Sequence, residues 1–192
     1  VTCIVGFVEP SGRVVVGGDS AGVAGLDIRV RADEKVFRRG PFLLGFTTSF
    51  RMGQLLRYSL QVPDQGEESD YEYLVTRFVD AVRKCLKDGG YATKTSDQEA
   101  GGTFLLGYRG RLYTVDSDYQ VAAHHDPYTA VGCGADFALG ALAVLRPKKE
   151  FATDLGPVFD IPGEVPVKKA LEVAEKFSAG VRGPFTILAM NS

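Results

Sequence analysis

A threonine, an aspartate and a lysine are the residues here whose types could carry out acyl transfer together. Thr2 lies in the opening run Val1-Thr2-Cys3-Ile4-Val5-Gly6, and Asp19 and Lys35 stand sixteen positions apart, each at the end of an apolar, strand-like run. A threonine at a chain terminus is its own catalytic dyad, because its free α-amino group, with a pKa of about 8, can take the proton from its own hydroxyl. A neighbouring ammonium would hold that amine's pKa down and favour the developing alkoxide, and a carboxylate paired with the lysine would fix its position. Asp19 and Lys35 are the candidates for those roles. Val1, which precedes Thr2, has no hydroxyl, so a chain beginning at Val1 combines a free amine with a hydroxyl nowhere and is expected to be inactive. Taken alone, the same letters also fit a strand threonine and two surface charges.

The elements that must position these groups can be read from periodicity. Thr2 to Val8 and Arg13 to Gly18 are β-branched runs joined by Glu9-Pro10-Ser11-Gly12, which predicts a hairpin. After a Gly-rich segment, Ser20 to Gly25, short strands are predicted at Asp27 to Val30 and Lys35 to Phe37, and a buried strand at Phe42 to Phe46. Leu56 and Leu60 then share a helical face. Beyond the acidic loop Asp64 to Asp70, apolar residues recur from Tyr71 through Leu74, Phe78 and Val82 to Leu86, the spacing of an amphipathic helix. Asp88-Gly89-Gly90 ends it, and Thr93 to Ala100 is read as a loop. Arg109-Gly110 joins strands Thr103 to Tyr108 and Arg111 to Asp116, with a third at Gln120 to Ala123. Helical faces follow at Phe137 to Leu145, stopped by Pro147, and at Val167 to Phe177, and a strand at Phe185 to Met190 closes the chain. Runs of strands alternating with pairs of helices point to an α+β fold of two mostly antiparallel sheets stacked face to face, helices outside.

At 192 residues the chain has the length of one domain, 1–192, with no repeat or linker. Charged residues make up 24% and the net charge is −2, which gives nucleic acid no electrostatic footprint. The longest apolar stretches fall short of the roughly 20 residues of a membrane span. Cys3, Cys85 and Cys133 are odd in number and widely spaced, neither a disulfide framework nor a metal pattern. Together with the lack of a secretion signal in the sequence, they make the cytoplasm the expected setting. His124 and His125, before Asp126-Pro127, are read as solvated loop residues. The glycines at 17, 18, 22 and 25 are followed by no Lys-Ser/Thr and no helix, so nucleotide binding is not expected.

In order and spacing, Thr2-Cys-Ile-Val-Gly-Phe7, Gly17-Gly-Asp-Ser-Ala-Gly22, Glu34-Lys-Val-Phe37 and Leu43-Leu-Gly-Phe46 resemble the catalytic strands of proteasome β-type subunits, members of the N-terminal nucleophile hydrolases. Leu112-Tyr-Thr-Val-Asp-Ser-Asp118 resembles their central hairpin, and Val131-Gly-Cys-Gly134 their Gly-Ser-Gly turn. The stretch Gly45 to Gln54 is closer to the small bacterial homologues. The resemblance runs from residue 2 to about residue 145 and is weaker beyond. It implies a four-layer αββα sandwich and a threonine-type peptidase, with Asp19 and Lys35 as the family's acid and lysine. Cys133 takes the place of a serine that hydrogen-bonds the nucleophile's amine; a thiol is a poorer partner.

The oxyanion hole, a backbone N–H from a Gly-Gly pair in the family, falls at Thr48 and Ser49, and Gly22, Asp33, Phe37 and Phe46 match positions lining the substrate pocket. Placing Thr2 at the nucleophile position needs one extra residue before Asp19, whereas placing Val1 there needs two, which favours Thr2 with Val1 removed. The alternative has Val1 at the nucleophile position of an inert chain. The resemblance further implies peptide or unfolded-protein substrates, a homo-oligomeric ring, an ATP-dependent unfoldase partner, and no metal or organic cofactor. An amidase of small molecules and a non-catalytic ring are the rival readings.

Overall fold

The first hairpin is apolar on both faces and therefore has to be covered twice. The computed structural model describes residues 1–95, 98–145 and 161–191. Strands β1 (Cys3–Val8) and β2 (Val14–Gly18) pair as expected, with Gly12 at φ 85° in the turn, a value that strains any other residue. They form the middle of a four-stranded sheet, edged by β12 (Tyr128–Gly132) beside β1 and by β13 (Thr186–Met190) beside β2. The second sheet runs β11 (Val121–Ala123), β10 (Arg111–Val115), β9 (Phe104–Tyr108), β6 (Phe42–Phe46), β5 (Val36–Arg39). Every described strand pair is antiparallel.

Side-chain alternation along β1 shows how the layers stack. Cys3, Val5 and Phe7 point to one face and pack with Leu142 of α4 (Ala135–Leu145) and Val167 and Leu171 of α5 (Glu164–Phe177). Ile4, between them in sequence, points the other way and joins Val14 and Val16 against Val36, Leu43, Leu105 and Leu112 of the second sheet. On that sheet's far side Phe42, Leu44, Phe104 and Leu106 pack with Leu56 of α1 (Phe50–Tyr58) and with Val82 and Leu86 of α3 (Val79–Asp88). The four layers are thus helix, sheet, sheet, helix. Close approach of the layers depends on missing side chains: a Cβ at Gly45 would lie 2.4 Å from Ile4 Cγ2, and one at Gly17 would lie 2.5 Å from Val167 Cγ1.

Several elements depart from the periodicity reading. Residues 21–24, expected as irregular, form β3 (Ala21–Ala24), paired with β4 (Asp27–Val30) through a turn at Gly25, φ 61°. The supposed loop Thr93 to Ala100 contains a ribbon of β7 (Thr93–Thr95) and β8 (Gln98–Ala100). Strand β12 is missing from the periodicity reading although Tyr128, Thr129 and Val131 favour a strand, because the run is short and leads straight into Gly132-Cys133-Gly134, a turn signal. The long amphipathic helix runs as α2 (Asp70–Tyr73), a π-helical segment (Leu74–Phe78) and α3. Leu60 lies past the end of α1 yet is fully buried. Pro147, read as a helix stop, falls outside the described residues. No helix among the described residues is long and apolar enough to cross a membrane.

Candidate active site

The chemically capable residues all lie just beyond strand ends at one edge of the sandwich. Thr2 precedes β1, whose register pairs Cys3 with Gly132 and Ile4 with Gly18. Cys133 and Asp19 each follow their strand by one residue, so sheet pairing alone places them on either side of Thr2. Lys35 comes from the other sheet, one residue before β5, and Thr48 and Ser49 follow β6.

Lys35 Nζ donates to Thr2 Oγ1 at 2.9 Å and to Asp19 Oδ1 at 2.8 Å. Both charged side chains are fully enclosed, and burial pushes the Lys35 ammonium below its ordinary pKa while Asp19 opposes that shift. A buried carboxylate needs several donors, and Asp19 has them: Cys3 N–H at 3.0 Å and Lys35 on one oxygen, Ala21 N–H at 2.8 Å and Arg182 N–H at 3.3 Å on the other. The thiol of Cys3, next to Thr2, is pushed up to about 12 by burial first and by Asp19 second, which removes it as a nucleophile.

It is Thr2 and not Val1 whose side chain meets Lys35. The Thr2 hydroxyl also donates to Val1 O, and Thr2 N–H, here a peptide nitrogen, donates to Cys133 Sγ at 3.3 Å. The Val1 side chain lies over Gly180, where a Cβ would come within 2.0 Å of Val1 Cγ1 and 2.7 Å of Cys133 Sγ.

A cavity of about 650 Å³ opens above Thr2, bordered by the β3–β4 ribbon and by Phe46 to Phe50. Thr48 lines it with its backbone in the left-handed region at φ 59°, unusual for a β-branched residue. Its hydroxyl holds that conformation by accepting from Thr103 N–H at 3.1 Å. Ser49 N–H donates to Thr47 O at 2.6 Å, and the Ser49 hydroxyl caps α1 by accepting from Arg51 N–H at 3.1 Å. Thr48 N–H has no acceptor among the described residues, so of the two it is the donor left for an oxyanion.

Of the four pocket candidates, Gly22 and Phe46 line the cavity. Phe37 does not: it is core, its ring centroid 6.5 Å from that of Phe46. Asp33 borders a smaller depression behind Phe46 and Phe50 and forms an ion pair with Arg31.

Sequence reasoning missed Ser178, whose hydroxyl lies 3.4 Å from Cys133 Sγ, as well as Arg182 and the cavity residues Arg29, Arg31 and Phe50. Ser178 and Arg182 lie more than 140 positions from Thr2 with no motif to mark them. The alternation of Arg29 and Arg31 along β4 was the available sign of a shared face. His125 is exposed as expected, whereas His124 is half-buried, 3.2 Å from Thr114 Oγ1, and its pKa is lowered by burial. The described residues contain no cluster of His, Cys, Asp and Glu able to hold a metal ion.

No protein-family model matches the sequence, and no curated protein matches it. Solved structures do. BPH of Thiobacillus denitrificans in complex with epoxomicin superposes with a TM-score of 0.72 at 20% identity, over 98% of each chain. A second structure of that BPH gives 0.72 at 19% identity, over 98% of this chain and 97% of that one. Eukaryotic HslV from Trypanosoma brucei gives 0.64 at 16% identity, over 99% of each. At these identities the likeness is one of architecture, and over nearly its whole length this chain has the fold of the proteasome-like N-terminal nucleophile hydrolases.

Proposed function

We propose that this chain is the subunit of a proteasome-like threonine peptidase, with Thr2 as nucleophile once Val1, and anything before it, has been removed. The observation that carries the reading is the fully buried Asp19–Lys35 pair with its ammonium 2.9 Å from Thr2 Oγ1. An enclosed ion pair is costly to hold, and a strand threonine needs none. In the processed chain the Thr2 amine takes the hydroxyl proton, and Oγ1 attacks the carbonyl carbon of a peptide bond. The oxyanion is met by Thr48 N–H, the amine returns the proton to the leaving nitrogen, and water hydrolyses the ester. Lys35 stabilises the alkoxide throughout, and Cys133 with Ser178 orients the amine.

A single subunit leaves its cavity open to solvent and to folded proteins. The reading therefore includes a homo-oligomeric ring that encloses the sites, an ATP-dependent unfoldase feeding it with peptides or unfolded proteins, and a cytoplasmic setting. BPH, which shares this fold, has been solved with epoxomicin, so epoxomicin is the probe to use. A chain prepared to start at Thr2 should gain the mass of one inhibitor, mapped to Thr2, and the chain starting at Val1 should gain none. Failure of the Thr2-initiated chain to react, with its fold intact, would leave a non-catalytic ring as the better account.

A further inference from the structure

The cavity above Thr2 carries charge of its own. Along β4 and just beyond it, the alternate residues Asp27, Arg29 and Arg31 all line it, and the cross-strand partners of the first two are Ala24 and Gly22, too small to cover them. Arg31 is the most firmly held of the three. Its guanidinium stacks 3.9 Å from the Phe50 ring centroid, and its Nε and Nη2 donate to the two Asp33 oxygens at 2.6 Å each. A Cβ on Gly22 would come within 2.7 Å of Arg31 Cδ, so the stem fills the space that glycine leaves.

Asp33 stands outside the cavity, so the fork is gripped from behind while Nη1 has no acceptor among the described residues. Phe50 links this group to the nucleophile: Lys35 Nζ, which touches Thr2, lies 5.5 Å from the same ring centroid. The Arg29 side chain likewise has no ion pair or hydrogen bond among the described residues. Among the described residues the one carboxylate lining the cavity is Asp27, two residues after the Gly25 turn.

We propose that Arg31 is a specificity-determining residue, making the cavity favour peptides with an acidic side chain beside the scissile bond and disfavour basic ones. This rests on the peptidase reading and adds its substrate class. A fork held flat on Phe50, with an Nη1 that has no acceptor among the described residues, suits a carboxylate, whereas a lysine or arginine side chain in the same space meets the unpaired Arg29 guanidinium beside Arg31, whose charge Asp33 offsets.

The test uses dye-labelled peptide amides of sequence Ala-Leu-Xaa-Ala, with Xaa Glu, Gln or Lys. Their binding is measured by fluorescence anisotropy to the chain starting at Val1, which cannot turn them over. The expected order is Glu, then Gln, then Lys, with about a tenfold difference in Kd between the extremes that shrinks as salt is raised. Arg31→Glu should reverse the order, and Arg31→Gln, which keeps a planar group on Phe50, should level it. An unchanged order in Arg31→Glu, or no binding of any peptide to the parent chain, overturns the assignment. Cleavage of the same peptides by the Thr2-initiated chain is read separately: a Glu preference in binding without any cleavage counts against the peptidase reading and leaves Arg31 as the selecting group.

Discussion

On the peptidase reading two side chains beside Thr2 support the chemistry, Lys35 and Asp19, and each predicts a different failure when changed. Lys35→Met should lower the turnover of the Thr2-initiated chain by about 10²–10⁴-fold, the range of a lost proton-transfer or charge-stabilising group, with little change in KM for a peptide substrate. Asp19→Ala should cost more in stability than in packing, about 3–5 kcal/mol, because it strands the Lys35 ammonium in an enclosed site; a urea titration measures it. The cysteines separate by environment. Cys133 is exposed, whereas Cys3 and Cys85 are buried and their pKa values are raised by that burial. Iodoacetamide on the native protein should therefore modify Cys133 alone at pH 8, and peptide mapping by mass spectrometry would show it. Labelling of Cys3 without unfolding would contradict the enclosure of the site.

At the scale of elements, part of the acid limb of stability should trace to the first hairpin turn. Glu9 is held below its usual 4.5 by Gly163 N–H at the start of α5, at 2.7 Å, and by Arg13, which also pairs with Glu164. A carboxyl with a depressed pKa stabilises the fold above its unfolded value and ceases to as pH falls through its folded one. Glu9→Gln should therefore lower the thermal midpoint at pH 7 and converge with the parent as pH falls below 4.5, so that the variant's acid loss of stability is flatter.

The same element scale shows what was legible in the sequence. β1, β2, β5, β6, β9 and β10 announced themselves as runs of aliphatic, aromatic and β-branched residues, and with them came Thr2, Asp19 and Lys35, which sit where β1, β2 and β5 begin or end. β4 was also expected, but β3 and β12 were not. Ala21 to Ala24 holds one β-branched residue, and β12, though it contains Tyr128, Thr129 and Val131, is short and runs into a glycine turn that masks it. Phe37 is placed in the pocket by the resemblance alone; its strand turns it to the core, and Arg31 and Phe50 form the wall instead.

For the whole molecule, the peptidase reading requires enclosure, and the expected solution mass is a multiple of the 20.7 kDa chain consistent with a closed ring. Mass photometry tests this, and a monomer at micromolar concentration would remove the chamber from the reading. The stacking of the two sheets has a further consequence. Thr2, Asp19 and Cys133 hang from the first sheet, while Lys35 and Thr48 hang from the second, and the interlock of Ile4 over Gly45 sets the gap between them. On the peptidase reading, neither half of the molecule contains a working site by itself. Turnover is thus a gauge of how tightly the sandwich is shut: in mild denaturant it should fade before far-ultraviolet circular dichroism changes, and Gly45→Val, which wedges the layers apart without touching a reacting atom, should shift that early loss to still lower denaturant.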